Sequence, residues 1–275
     1  MRYINLLKFD LIHGILKQCY KYVIFILFVT LAIFELKLTL NSVEIKGETY
    51  ADYLLYIYGG VKEYIPMPGE IFKLPYLWIL NHILILYFTL NYMHKDLTGV
   101  GQQIIFRTGS RSSWWLSKCF CQIISVLAYY IVMWGEIFIF FKCSGKRISW
   151  KISDFMISIM DFGPKMINVK HLELLPEITI FPIMFTLCLS LLQMALCLYL
   201  KPIFSYIISV IICIASAYTT NFLLIGNYAM ALRSNHIVSD GVSRKNGIII
   251  FALISVVSVL AGAIRFKKYN ILDKE

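Results

Sequence analysis

Three ionisable side chains lie inside long apolar runs of the sequence, where a charged group is costly. Glu35, His82 and Glu136 are residue types that move protons or line polar paths through a membrane. At a helical rise of about 1.5 Å per residue, all three fall in the same half of the membrane. They are therefore candidates for a translocation path. The alternative is that the two acids extend to the membrane surface and that the histidine binds a backbone carbonyl.

A second group of polar residues forms the stretch 107–118, "RTGSRSSWWLSK", between two apolar runs. A helix over 97–108 would lead into it, with one apolar side and one side carrying Gln102, Gln103 and Phe106. An aromatic side chain among glutamines, facing the cytosol, is typical of a protein contact surface. The alternative is a phenylalanine that folds back into lipid.

The same stretch contains three cations, Arg107, Arg111 and Lys118, which can bind lipid phosphates or the acids of a protein partner. Ser112 or Ser113 can cap the helix that follows. The two tryptophans in the first turn of that helix are typical of the headgroup level of a membrane. The stretch is therefore predicted to be a membrane re-entry point joined to a cytosolic contact helix.

No enzyme motif accompanies these residues. The patterns GxxxxGK[ST] and HExxH are absent, and most of the seven cysteines lie in or beside apolar runs, without the spacing of a metal site. We therefore expect no catalytic residue, no metal ion, no cofactor and no enzymatic activity in this chain.

The amino-acid composition indicates whether these residues lie in a soluble or a membrane protein. Of the 275 residues, 59% are hydrophobic and only 15% are charged, against about 25% charged in ordinary soluble domains. This composition predicts an integral membrane protein. The formal charge of +10 is scattered over the ends of apolar runs, so we expect membrane lipid and not nucleic acid as a partner.

Six apolar runs approach the length of a transmembrane helix, about 20 residues. They are 22–40, 75–92, 119–141, 179–199, 203–221 and 247–264. Because backbone exposed to lipid must satisfy its own hydrogen bonds, all six are predicted to be helices. The sequence thus predicts an all-α integral membrane fold, in one transmembrane domain over residues 1–275.

Two further segments are not predicted to cross the membrane. Residues 1–21 predict an interfacial helix, whose alternative is a cytosolic tail. Its apolar side is formed by Ile4, Leu7, Leu11 and Ile15, and its polar side by Asp10, Lys17 and Lys21. Before the last span, "FLLIGNYAMALRS" is too apolar for a free loop and predicts an outer re-entrant or interfacial segment.

The distribution of positive charge predicts the orientation. Thirteen of the 26 Lys and Arg residues lie close to helix ends in four segments, 1–21, 93–118, 200–202 and 265–275. Such segments face the cytoplasm. We therefore expect a multi-pass protein of the plasma membrane with both termini in the cytoplasm.

This arrangement of spans and flanking helices resembles the ABC-2-type permeases, the membrane subunits of ATP-binding-cassette exporters. "FRTGSRSSWWLSK" resembles the family's passage from the coupling helix into the third span. "LIGNYAMALRS" resembles the outer segment before the sixth span in permeases found with Gram-positive peptide exporters. The resemblance implies six transmembrane helices with a cytosolic coupling helix between the second and third.

The resemblance also implies a function and partners. The chain would form the path for a peptide, antibiotic or lipid-like substrate, together with a second permease chain, identical or related. ATP and Mg would bind in a separate ATPase subunit, in contact with Gln102, Gln103, Phe106, Arg107 and Arg111. The abundance of Ile, Lys, Tyr, Phe and Asn is typical of a low-GC Gram-positive bacterium.

A different class of function competes with transport. The long outer loops, 41–74 and 142–178, are also typical of a membrane protein that binds a peptide from outside without moving it. An immunity or sensor protein of this kind would need no ATPase partner.

Overall fold

The computed structural model describes residues 2–44, 47–66, 71–97, 110–160 and 174–269. Over these ranges the chain is helical and forms no β-strand, and one isolated bridge joins Ser234 to Val242. The all-α fold is thus confirmed for the described residues.

Nine α-helices lie in the part of the chain that the structure describes. They are α1 (Arg2–Gly14), α2 (Tyr20–Ser42), α3 (Tyr50–Tyr58), α4 (Tyr76–Leu97), α5 (Arg111–Cys143), α6 (Asp154–Ile159), α7 (Leu175–Leu196), α8 (Pro202–Tyr218) and α9 (Arg244–Lys267). Every predicted span coincides with one of the six long helices. Four of these, α2, α5, α7 and α9, are long and apolar enough to cross a membrane, which indicates a membrane protein. The apolar parts of α4 and α8, Tyr76–Leu90 and Pro202–Tyr218, are shorter.

The six long helices alternate in direction, so the bundle has two ends. The end that we call the α1 end holds α1, the starts of α2, α5 and α8, and the last turns of α4, α7 and α9. The other end, the α3 end, holds α3 and the opposite termini of these helices.

The outside of the bundle is apolar. Large apolar side chains project from α2, α8 and α9, among them Leu31, Ile211 and Ile264, each more than half exposed. A continuous apolar surface of this extent suits contact with lipid. The side chains of α7 are mostly buried, so α7 lies at the centre of the bundle.

The N-terminal segment departs from the prediction of one helix over 1–21. Helix α1 ends at Gly14, and a short 3-10 helix, Leu16–Gln18, leads into α2. The buried residues of α1 include Leu6 and Asp10, whereas Ile4 is 68% exposed. The predicted assignment of Asp10 to the outer polar side was therefore wrong, because a buried partner on another helix binds it.

Within the predicted outer loop 41–74, helix α3 is buried and is not part of a surface loop. Every side chain of α3 except that of Tyr56 is buried. Thr49 and Asp52 form a capping box at its start. The fully buried Asp52 carboxylate also accepts hydrogen bonds from the Ser153 backbone N–H, at 2.9 Å, and hydroxyl, at 2.5 Å. The capping chemistry of α3 thus also holds the loop between α5 and α6.

The apolar segment before α9 consists of two 3-10 helices, Ile225–Ala229 and Ala231–Arg233, and all their residues are buried. The Trp78 indole donates to the Ala229 carbonyl at 3.2 Å, and the Leu232 N–H donates to the Gly59 carbonyl at 3.0 Å. The segment is therefore part of the folded α3 end.

Candidate functional site

The last turn of α4 and the first turns of α5 border the segment predicted to contact a partner. Gln102, Gln103, Phe106 and Arg107 lie outside the described residues, whereas Arg111 lies within them. The assignment of these residues to a partner contact stays a prediction. What the structure describes is how the two bordering helices are held.

Helix α5 is capped by Ser110. The Ser110 Oγ accepts a hydrogen bond from the Ser113 N–H at 3.3 Å, and the Ser110 backbone is extended, as an N-cap requires. The predicted cap at Ser112 or Ser113 was wrong, because the helix starts earlier and both serines lie in its first turn.

Arg111 joins the start of α5 to the last turn of α9. Its Nη1 donates to the backbone carbonyls of Lys267 and Tyr269, both at 2.8 Å. Carbonyl groups at a helix C-terminus lack helical partners and carry partial negative charge, so a guanidinium stabilises them. A displacement of the start of α5 would therefore be transmitted directly to the last turn of α9.

The two tryptophans of α5 are fully buried against α9. Trp114 stacks on Phe266 with 4.7 Å between ring centroids, and the Trp115 indole donates to the Val259 carbonyl at 2.9 Å. A Cβ on Gly262 would overlap the Trp115 ring, so only glycine permits this approach. The prediction that these indoles lie among lipid headgroups was wrong, because α9 provides a closer apolar surface.

Lys118 is the centre of a buried ionic cluster. Its Nζ lies 2.6 Å from a carboxylate oxygen of Asp10 in α1 and 2.6 Å from one of Asp96 in α4. The side chains of Lys118 and Asp10 are at most 1% exposed, and that of Asp96 is 9% exposed. We call these three residues the Lys118 cluster. Lys118 was predicted to bind lipid phosphates or partner acids, and the structure corrects this to an internal pair.

Neutral groups complete the Lys118 cluster. The Ser117 hydroxyl donates to Asp10 at 2.5 Å, and the Tyr92 hydroxyl donates to it at 2.9 Å. The Lys118 ammonium also lies over the rings of Tyr92 and Trp114, at 4.5 and 4.9 Å from their centroids. The cluster therefore connects α1, α4 and α5 beside the segment 98–109.

The charge balance of the Lys118 cluster determines its sensitivity to substitution. Two carboxylates share one ammonium group, so the positive charge of Lys118 offsets the negative charges of both Asp10 and Asp96. Removing one partner of a buried pair costs about 3–5 kcal/mol, because the remaining charge stays buried. Lys118 is the most sensitive member, since its loss would leave two uncompensated anions.

The three predicted path residues do not form one polar group. The Tyr76 hydroxyl donates to Glu35, the Thr30 hydroxyl donates to Glu136 at 2.7 Å, and the His82 Nδ1 lies 2.7 Å from the Thr186 hydroxyl. The histidine thus binds a side chain and not a backbone carbonyl. No hydrogen bond or ion pair links any two of the three among the described residues, and their role in a path stays a prediction.

The α3 end contains a fully buried cation, Arg233. Its guanidinium donates to backbone carbonyls and to one side-chain amide oxygen. The acceptors include Val61 at 3.0 Å, Ala217 at 2.6 Å, Thr219 at 3.2 Å, Ser216 and Asn227. Burial lowers the pKa of Arg233 to about 10, and the nearby Glu63 opposes this shift. The Arg233 guanidinium remains charged at neutral pH, and it caps the C-terminus of α8 by donating hydrogen bonds to the free carbonyl groups there.

Sequence reasoning missed the roles of Asp10, Asp96 and Arg233. Asp10 and Lys118 are 108 positions apart, and Arg233 and Val61 are 172 apart. No local pattern connects residues at such separations. One signal was available, since a lone acid in an apolar N-terminal segment needs a cation partner when it is buried.

The comparisons with known proteins identify one family. The family described as "Protein of unknown function (DUF2705)" matches residues 50–272. No curated protein and no solved structure matches the chain. The matched range includes α3 to α9 and therefore two of the three members of the Lys118 cluster, Asp96 and Lys118.

Proposed function

The chain belongs to the DUF2705 family, and on that premise we propose that it is the permease subunit of an ABC-2-type exporter. All six long helices cross the plasma membrane, with both termini and the α1 end in the cytoplasm. Residues 225–233 form a re-entrant segment in the outer half. A separate subunit binds ATP and Mg, and a second permease chain completes the path for a peptide, antibiotic or lipid-like substrate. Glu35, His82 and Glu136 are the candidates for lining that path.

One observation carries the proposal: both borders of 98–109 are fixed to other helices, by a buried ionic cluster and by a half-buried arginine. Lys118 of α5 binds both Asp96 of α4 and Asp10 of α1, and Arg111 of α5 binds the last turn of α9. A displacement of the segment would therefore move α1, α4, α5 and α9 together. Such a rigid connection is what a motor subunit needs in order to move spans through a short contact helix.

The orientation can be tested with the native cysteines. Cys19 is exposed at the α1 end and Cys143 at the α3 end, whereas the other five are buried. A membrane-impermeant thiol reagent applied to intact cells should label Cys143 and spare Cys19, and permeabilised cells should show both. Cys143→Ser should remove the signal from intact cells. Labelling of Cys19 in intact cells would invert the topology and exclude the proposal.

The partner can be tested by purification from the native host in mild detergent. The wild-type chain should retain an ATP-binding subunit, and Phe106→Asp should abolish that retention while membrane insertion is unchanged. The matched control is Phe222→Asp, because Phe222 is 67% exposed at the α3 end. Equal recovery from all three proteins would remove the assignment of the contact.

A cleft at the α3 end favours the second candidate function, a sensor or immunity protein that binds an external peptide. The cleft has a volume of about 430 Å³, and Lys62, Glu63, Tyr64, Phe72 and Lys73 contribute to its lining. Expression in sensitive cells without any ATPase partner separates the two functions. Protection retained there would support binding, whereas protection that requires the ATPase supports export.

A further inference from the structure

A second cleft, at the α1 end, has a chemistry that neither function uses. It lies between the turn from α7 to α8 and the last turn of α9, with a volume of about 480 Å³. Its lining includes Tyr199, Lys201, Phe204, Arg265 and Tyr269. Two cations and three aromatic rings thus surround one opening.

Among the described residues, the charged side chains that line this cleft all carry positive charge. Its lining contains Lys201 and Arg265 and no carboxylate, and no ion pair involves either cation among the described residues. The cleft at the α3 end differs, because Glu63 lies beside its two lysines. The α1-end cleft therefore attracts an anion, whereas the α3-end cleft is partly neutralised.

Arg265 is held in place for an incoming ligand. Its Nε donates to the Leu198 carbonyl at 3.3 Å, and its guanidinium lies 5.1 Å from the centroid of the Tyr199 ring. Its two terminal nitrogens have no hydrogen-bond partner among the described residues. A guanidinium fixed in this way presents a flat pair of donors, which matches the oxygens of a phosphate group. Lys201 is exposed beside the start of α8 and adds a second cation.

An apolar surface continues from the cleft along α8. Phe204, Ile207, Ile211 and Ile214 follow helical spacing, and each is between 44% and 58% exposed. These side chains form one stripe that leads from the cations towards the α3 end. A ligand that uses both features has an anionic head and long apolar chains.

We propose that this cleft binds the phosphate of an anionic phospholipid, whose acyl chains lie along the α8 stripe. Such a site would fix the α7–α8 turn and the last turn of α9 to the membrane surface. The site requires only that these helices cross a membrane, so it is independent of the exporter function. The occupant could also be free phosphate by charge alone, but the α8 stripe favours the lipid.

The test uses the purified full chain in neutral detergent, supplied with equal amounts of phosphatidylglycerol and phosphatidylcholine of the same acyl chains. Native mass spectrometry should show preferential retention of phosphatidylglycerol. The double variant Lys201→Gln/Arg265→Gln should lower that retention at least about tenfold, from about 1 kcal/mol per cation at a membrane surface. The matched control is Lys62→Gln/Lys73→Gln in the other cleft, which should retain as much lipid as wild type.

Three further measurements keep the result decisive. Lys201→Gln alone removes the charge of an exposed side chain and should lower retention about fivefold even if the double variant fails to fold. Inorganic phosphate in excess should not displace the lipid, and a short-chain phosphatidylglycerol should bind less well. Equal retention of the two lipids, unchanged retention in the Lys201 variant, or displacement by inorganic phosphate would each overturn the proposal.

Discussion

The two ends of the bundle compensate buried charge in different ways. At the α1 end, Lys118 is bound by the opposite charges of Asp10 and Asp96. At the α3 end, Arg233 is bound by neutral acceptors, most of them backbone carbonyls. The first arrangement connects side chains of separate helices. The second satisfies backbone groups that have no partner within their own helix.

The difference indicates what each end must accomplish. An ion pair between helices makes them move together, which suits the end that borders the predicted contact segment. A cation bonded to carbonyls permits irregular backbone to stay buried, which suits 3-10 segments in apolar surroundings. The two ends should therefore respond differently to loss of charge, and three substitutions measure that difference.

The largest effect is expected from Lys118→Met, which leaves two buried anions without a cation. We expect a loss of about 3–5 kcal/mol in the free energy of unfolding, measured by chemical denaturation in mixed micelles. The triple variant Lys118→Met/Asp10→Asn/Asp96→Asn removes all three charges and should regain most of that loss. A triple variant as unstable as the single one would show that packing, and not charge, holds this end.

A smaller effect is expected from Arg233→Met, which leaves neutral carbonyl groups unsatisfied. We expect a loss of about 2–4 kcal/mol in the same denaturation experiment. Arg233→Lys should recover only part of it, because an ammonium group cannot reproduce the several directed hydrogen bonds of a guanidinium. Full recovery with lysine would mean that charge alone stabilises the α3 end.

The smallest effect is expected from Arg111→Gln, which repeats the chemistry of Arg233 at a half-buried position. A cation at a helix C-terminus contributes about 1 kcal/mol when it is partly exposed, so the melting temperature should fall by a few degrees. The control is Arg147→Gln, an exposed position at the α3 end that should leave the melting temperature unchanged. Equal changes in melting temperature for the two variants would show that the contact between Arg111 and α9 does not stabilise the protein.

The positions of the long helices were predictable because each depends on local composition. An apolar run of the required length forms a helix wherever it lies in lipid, regardless of its neighbours. Helix α3 could not be predicted in this way. Its nine residues are too few to cross a membrane, and its burial depends on contacts with α7, which lies far along the chain. The stretch that forms the two 3-10 helices was predicted to be an outer re-entrant or interfacial segment, and neither its 3-10 geometry nor its contacts with α3 and α4 were predicted.

The ionic contacts were not predictable, because a helical pattern records only which side of a helix is apolar. It places Asp10 towards water, whereas Lys118 provides a better partner inside the protein. The tryptophan prediction failed for a similar reason. The preference of indole for membrane surfaces competes with packing, and Gly262 leaves a space that the Trp115 ring fills.

The burial of α3 has a consequence for the order of assembly during synthesis. Residues 50–58 leave the ribosome early, yet they pack against Ile152, Leu174 and Ile178, which follow about a hundred residues later. The early segment must wait outside its final place until α7 has been inserted. Completion of the α3 end is therefore a late event in biogenesis, because α3 can pack in its final position only after the chain as far as α7 has been synthesised.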